Sequence, residues 1–178
     1  MKVFLNYITL TLLQISSTHS IIFHPDTNPK EYEADPKDHP YVFYFPDKGS
    51  CAGTLIHKKY ALTAARCFRP KDVKYPLKIT IGSKNHTIMK NHVYLHKCFD
   101  DETNSPDSAD LAVIKLAEES DVEPITMLTK KNEVGKKFHM MGWGLSGKEG
   151  TYNLGIFHVG ENYFENVVGN TLQYIFQS

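Results

Sequence analysis

The chain has little of what marks the specialised protein classes. Three cysteines in 178 residues are too few for a miniprotein built on disulfides. Charge of either sign is not in excess: 20 lysines and arginines stand against 20 aspartates and glutamates. Without a basic footprint, neither nucleic acid nor an anionic membrane surface is an expected partner. No apolar run reaches the roughly 20 residues that a membrane-crossing helix needs. Internal repeats and low-complexity tracts are missing, and no helical period lasts long enough for a bundle. The remaining composition, 41% hydrophobic, 12% aromatic and 22% charged, is that of a globular protein and excludes disorder, collagen and coiled coil as whole-chain descriptions. The length suits one ordinary domain or a small two-lobed one.

What is present begins with a leader. Lys2 precedes an apolar stretch from Val3 to Ile15, interrupted by Asn6, Thr9, Thr11 and Gln14, and followed by Ser16-Ser17-Thr18-His19-Ser20. Small residues at Thr18 and Ser20 suit signal peptidase, so residues 1–20 read as a secretory signal peptide and the protein as secreted and extracellular. An oxidising destination favours disulfides. Past Ser20, short β-branched and aromatic runs alternate with turn clusters. Strands are predicted at 41–45, 53–57, 60–63, 77–81, 87–90, 93–96, 111–116, 137–141, 155–159 and 172–176. Turns or loops are predicted at 26–29, 45–49, 105–107 and 144–150, from their Pro, Gly, Asn and Asp content. The polar stretch 118–132, with Pro124, is the expected connection between two lobes.

Four segments carry a family likeness. Cys51-Ala52-Gly53-Thr54-Leu55-Ile56, Ala61-Leu62-Thr63-Ala64-Ala65-Arg66-Cys67, Ser108-Ala109-Asp110-Leu111-Ala112-Val113-Ile114-Lys115-Leu116 and Gly142-Trp143-Gly144 resemble, in order and spacing, segments of the trypsin-like serine proteases. The resemblance is specific from about residue 21 to 143 and looser beyond. It implies an all-β, chymotrypsin-like double β-barrel. Residues 21–178 then form one protease domain, with a complete first barrel at 21–129 and an incomplete second barrel at 130–178. Cys51 and Cys67 lie sixteen positions apart on segments that would be neighbours in that fold. A disulfide between them is expected, over the alternative of two buried thiols, and closing such a loop stabilises by about 3 kcal/mol in the chain-entropy model. Cys98 is left over as a free thiol, an intermolecular bridge or a buried apolar residue.

The family's chemistry needs a serine nucleophile, an imidazole base, a carboxylate that orients the base, and donors for the oxyanion. The resemblance puts Asp110 at the carboxylate, as a vestige of the triad, and Arg66 in place of the general-base histidine. A guanidinium offers no acceptor and holds its proton, so Arg66 cannot take a proton from serine. An Arg66 to Asp110 ion pair, partly buried, is the expected replacement for the catalytic dyad. No Gly-Asp-Ser-Gly-Gly string occurs, so no nucleophile serine is assigned; Gly144-Leu145-Ser146-Gly147 imitates it only in a loop position. Ile21-Ile22-Phe23-His24 stands where active members carry Ile-Val-Gly-Gly, without the flexible glycines or a receiving aspartate.

Other histidines do not supply a base. His57 falls on a strand, and His96 matches a family strand end without a catalytic part. His92 and His96, four apart on a strand, would be about 13 Å apart and unable to share a metal ion. The acidic stretch 100–107 lacks the glycine and glutamate of a calcium loop, with Ser105 and Leu111 in those places. No metal and no cofactor are therefore expected. Asn85-His86-Thr87 is a glycosylation sequon and marks a surface position if used.

These readings make a secreted trypsin-like protease homologue, catalytically inactive, that acts by binding protein as a decoy or cofactor for proteolysis. The alternative is an incomplete copy of a secreted endopeptidase that hydrolyses peptide bonds. The expected partner is a protease, an inhibitor or a substrate-like protein. A second possibility is self-association through an unpaired strand edge carrying Leu172 and Phe176.

Overall fold

The computed structural model describes residues 21–22, 26–46, 51–69, 73–100, 109–129, 132–144, 146–148, 151–153, 155–168 and 171–174. The predicted leader, most of the acidic stretch 100–107, and Ile175 and Phe176 lie outside the described residues. Among the described residues the regular structure is β-strand with short 3-10 turns and no α-helix.

In the first region, between residues 42 and 115, seven strands are found among the described residues. They are β2 (Val42–Tyr44), β3 (Ala52–His57), β4 (Tyr60–Thr63), β5 (Leu77–Ile81), β6 (Lys84–Ile88), β7 (Val93–Leu95) and β8 (Ala112–Lys115). Five make one antiparallel sheet in the order β2-β3-β4-β8-β7, and β5-β6 form a separate hairpin whose first strand packs against β2. Alternation decides which side chains enter: Leu77, Ile79 and Ile81 of β5 point inward while Lys78 and Thr80 point out, as period-two patterning requires. With Phe43, Phe45, Leu55, Ile88, Ile114 and Leu116 they form one buried core.

Two glycines make this packing possible. Gly82 opens the two-residue β5–β6 turn at φ 60°, and a Cβ there would meet Val122 Cγ2 at 2.4 Å; only glycine suits both the turn and the approach. At Gly53 a Cβ would lie 2.6 Å from Phe43 Cζ, so the missing side chain makes room for the phenylalanine ring across the strand pair.

The second region comprises β9 (Lys137–Gly142), β10 (Ser146–Lys148), β11 (Thr151–Asn153), β12 (His158–Tyr163), β13 (Asn166–Val168) and β14 (Thr171–Gln173). β9 pairs with β12 and β13 with β14; β10 pairs with β11 and, in parallel, with β1 (Ile21–Ile22). Among the described residues the fold is all-β and chymotrypsin-like, and the described strands close neither barrel.

Several predicted bounds move. The strand predicted at 87–90 is β6, which starts at Lys84 because pairing begins directly after the Gly82-Ser83 turn; its inward position is a histidine, which hides the alternation. The strand predicted at 155–159 becomes β12, starting at His158 opposite Gly142, because Gly155 at φ 91° turns the chain first. Residues 144–150, predicted as a loop, contain β10, which forms a hairpin with β11. The strand predicted at 172–176 starts one residue earlier, as β14 against β13.

Candidate functional site

Arg66 sits in the 3-10 turn Ala65–Phe68 that follows β4. Ala65, Cys67 and Phe68 are buried and anchor the turn, which leaves Arg66 as its outward side chain. Cys51, just before β3, is bonded to Cys67 with a Cα–Cα distance of 6.1 Å, tying the turn to the sheet. Asp110 lies two residues before β8 on a segment fixed by hydrogen bonds from Ala109 N to Cys98 O and from Leu111 N to Ala109 O, 3.2 and 2.8 Å.

The two residues meet. The Arg66 backbone N–H donates to Asp110 Oδ1 at 2.8 Å, satisfying a donor that the short turn leaves without an internal partner. The guanidinium Nη1 pairs with Asp110 Oδ2. Both carboxylate oxygens are thus engaged by one residue, with no imidazole between them. Asp110 is 33% exposed but the Arg66 side chain 63%, so the pair is more solvated than the sequence suggested. Its net worth is on the order of 0–1 kcal/mol, as for other surface pairs. Chemically the arrangement fixes a cation; the guanidinium has no lone pair with which to accept a proton.

The remaining sequence candidates are placed elsewhere. His57 Nδ1 accepts from Lys59 N at 3.1 Å. His92 is in the 3-10 turn Lys90–His92, not on a strand as expected, and its Nδ1 accepts from Met89 N at 3.3 Å. His96, past the end of β7, accepts from Cys98 N at 3.2 Å. Each imidazole serves its own local backbone. Ser146 opens β10, opposite Ile21 and Asn153. Asn85 is exposed on β6, and Cys98 is an exposed free thiol. Among the described residues no three metal-ligating side chains gather, and no helix is long and apolar enough to cross a membrane.

Three features escape the sequence reading. His86 and His158 are 5% and 2% exposed, and burial pushes the pKa of each below the usual histidine value. On the β9–β12 pair, Glu161 accepts from Lys137 Nζ and approaches His139 Nε2, both at 2.7 Å. The hydrogen bond from Lys137, then that from His139, holds the carboxyl pKa low. A cleft of about 660 Å³ lies beside β2, lined by Pro36, Pro40, Tyr44, Pro46, Gly82 and Trp143 among others. Tyr44 and Trp143 stand 5.2 Å apart, and Trp143 packs on Phe157 at 4.5 Å. The cluster of prolines before β2 is the signal that could have located it.

A five-stranded sheet and hairpin sharing one core, a disulfide tying the turn after β4 to the start of β3, and an aspartate held against that turn by Arg66 define a chymotrypsin-like protein. The family model described as Trypsin matches residues 28–167, and the chain belongs to that family. It is 25% identical over 157 residues to snake venom serine protease homolog rhinocerase 2 of Bitis rhinoceros, covering 80% of this chain and 56% of the relative. Over 102 residues it is 30% identical to a snake venom serine protease homolog of Bothrops jararacussu, covering 53% of this chain and 38% of that protein. The chain therefore spans a little over half the length of the first of these relatives. Among solved structures, mouse neuropsin, a serine protease, superposes with a TM-score of 0.61 at 19% identity, over 76% of this chain and 64% of neuropsin. That likeness concerns the fold.

Proposed function

We propose that this chain is a secreted, non-catalytic trypsin-family protein that acts by binding another protein, as a decoy or cofactor for proteolysis. The observation that carries the reading is the pairing of Arg66 with Asp110 through both its backbone and its guanidinium. At the base position this side chain has no acceptor, so it cannot activate a hydroxyl nucleophile. Export is supported by the leader-like residues 1–20 and by the venom origin of the snake relatives.

The test is to add the purified chain to active trypsin-family proteases turning over a protein substrate. A dose-dependent change in their turnover is expected, with no hydrolysis by the chain alone. Hydrolysis of peptide amides by the chain that persists after removal of contaminating proteases would overturn the reading, as would the absence of any effect across the protease panel.

A further inference from the structure

We propose that Asn85 carries an N-linked oligosaccharide, displayed on the solvent face of the β5–β6 hairpin; this rests on the reading of the chain as exported. The sequon Asn85-His86-Thr87 lies within β6, where alternation separates its members. Asn85 and Thr87 are exposed, while His86 turns inward and is 5% exposed. The two residues that the modification recognises therefore share the outer face, and only the freely variable middle residue enters the core.

The amide itself is suitably held. Thr80, opposite Asn85 in the hairpin register, donates its hydroxyl to Asn85 Oδ1 at 2.8 Å. That contact occupies the carbonyl end and leaves Nδ2 as the end that bears the sugar. β5 and β6 form a two-stranded sheet, and Asn85 stands one residue from the Gly82-Ser83 turn. A bulky hydrophilic group there covers no core residue and displaces none.

The step is a group transfer. Asn85 Nδ2 loses a proton and forms a bond to the anomeric carbon of the first sugar, while the bond from that carbon to a lipid-linked diphosphate donor breaks and the lipid diphosphate leaves with its electron pair. The donor is the lipid-linked oligosaccharide of a eukaryotic secretory pathway, and no oxidant or reductant is needed.

The full chain is to be expressed in a eukaryotic secretory cell line, in parallel with residues 21–178 behind an unrelated secretory leader. Peptide-N-glycosidase is expected to lower the mass of the product by one glycan and to convert Asn85 to aspartate. Asn85→Gln and Thr87→Ala are each expected to abolish the shift completely, while Thr87→Ser retains it. A product delivered by the unrelated leader with the same mass before and after the enzyme overturns the proposal, as does a shift that survives Asn85→Gln. Glycan on that product but no export of the full chain would keep the site and overturn the reading of residues 1–20.

Discussion

The regions before and after residue 130 are both built mainly of antiparallel β pairs, yet they pack differently. In the first, a five-stranded sheet and a hairpin direct Phe43, Leu55, Ile79, Ile81, Ile88 and Ile114 into one core, each no more than 2% exposed. In the second, among the described residues, Phe157 and His158 are the buried side chains of any size, and Tyr163, Val167 and Val168 are about half exposed. Strand pairing alone thus does not make a core. Hydrogen-bonded ladders bring little net stability without apolar area removed from water, and the first region supplies most of that area.

The contrast can be broken or sharpened by substitution. The largest effect is expected in the shared core: Ile79→Ala or Ile114→Ala should cost about 2–5 kcal/mol by transfer and cavity terms. Val168→Ala, in the second region, should stay within about 0.5 kcal/mol. Denaturant titration of the three variants compares them directly, and a large loss from Val168→Ala would show an unrecognised second core. Next comes the staple between β3 and the Arg66 turn. Replacing both Cys51 and Cys67 by serine should cost about 3 kcal/mol, since the closed loop of sixteen residues is freed in the unfolded chain.

The buried histidines give a pH-dependent term to each region. For His86 and His158 the folded pKa lies below the ordinary 6.5, with burial the largest cause. The unfolded chain therefore binds more protons in the window just below pH 6.5, so their contribution is fully present above that value and is lost as pH falls. The slope is at most about 1.4 kcal/mol per pH unit for each group. His86→Leu should flatten the decline on the first-region side, and His158→Leu on the other, in thermal melts between about pH 7 and pH 5. An unchanged slope in both variants would contradict the assignment. The smallest effect is expected at the Arg66–Asp110 pair: Arg66→Ala should change stability by no more than about 1 kcal/mol, because its guanidinium is largely solvated and its disulfide-tied turn is held by Ala65, Cys67 and Phe68.

Much of the first region was legible in the sequence because its chemistry is written in apolar alternation. Leu77-Lys78-Ile79-Thr80-Ile81 reads directly as a half-buried strand, and the bounds given for it match those of β5. β6 is less legible because its inward residue is His86 rather than an aliphatic side chain, so its register is set by the turn and not by hydrophobicity. β10, β11 and β13 are three-residue strands, the first two mostly polar, too short to show an alternation, although β10 pairs locally with β11 and β13 with β14; only the pairing of β10 with β1 joins segments distant in the chain. At the site, the proximity of Arg66 and Asp110 followed from the family resemblance, since 44 residues separate them and no local signal joins them. The solvation of the guanidinium did not follow, because it depends on which neighbours of the turn are buried. The cleft at Trp143 also joins distant segments, with only its prolines visible beforehand.

Central to the proposed function is that Arg66 stands at the base position and that the chain does not perform nucleophilic catalysis. Its most direct test is intact-mass analysis of the purified, exported protein after treatment with a serine-directed fluorophosphonate, beside active trypsin as the positive control. The expected result is full labelling of trypsin and no adduct on this chain. A stoichiometric adduct on one of its serines, lost on denaturation before treatment, would contradict it.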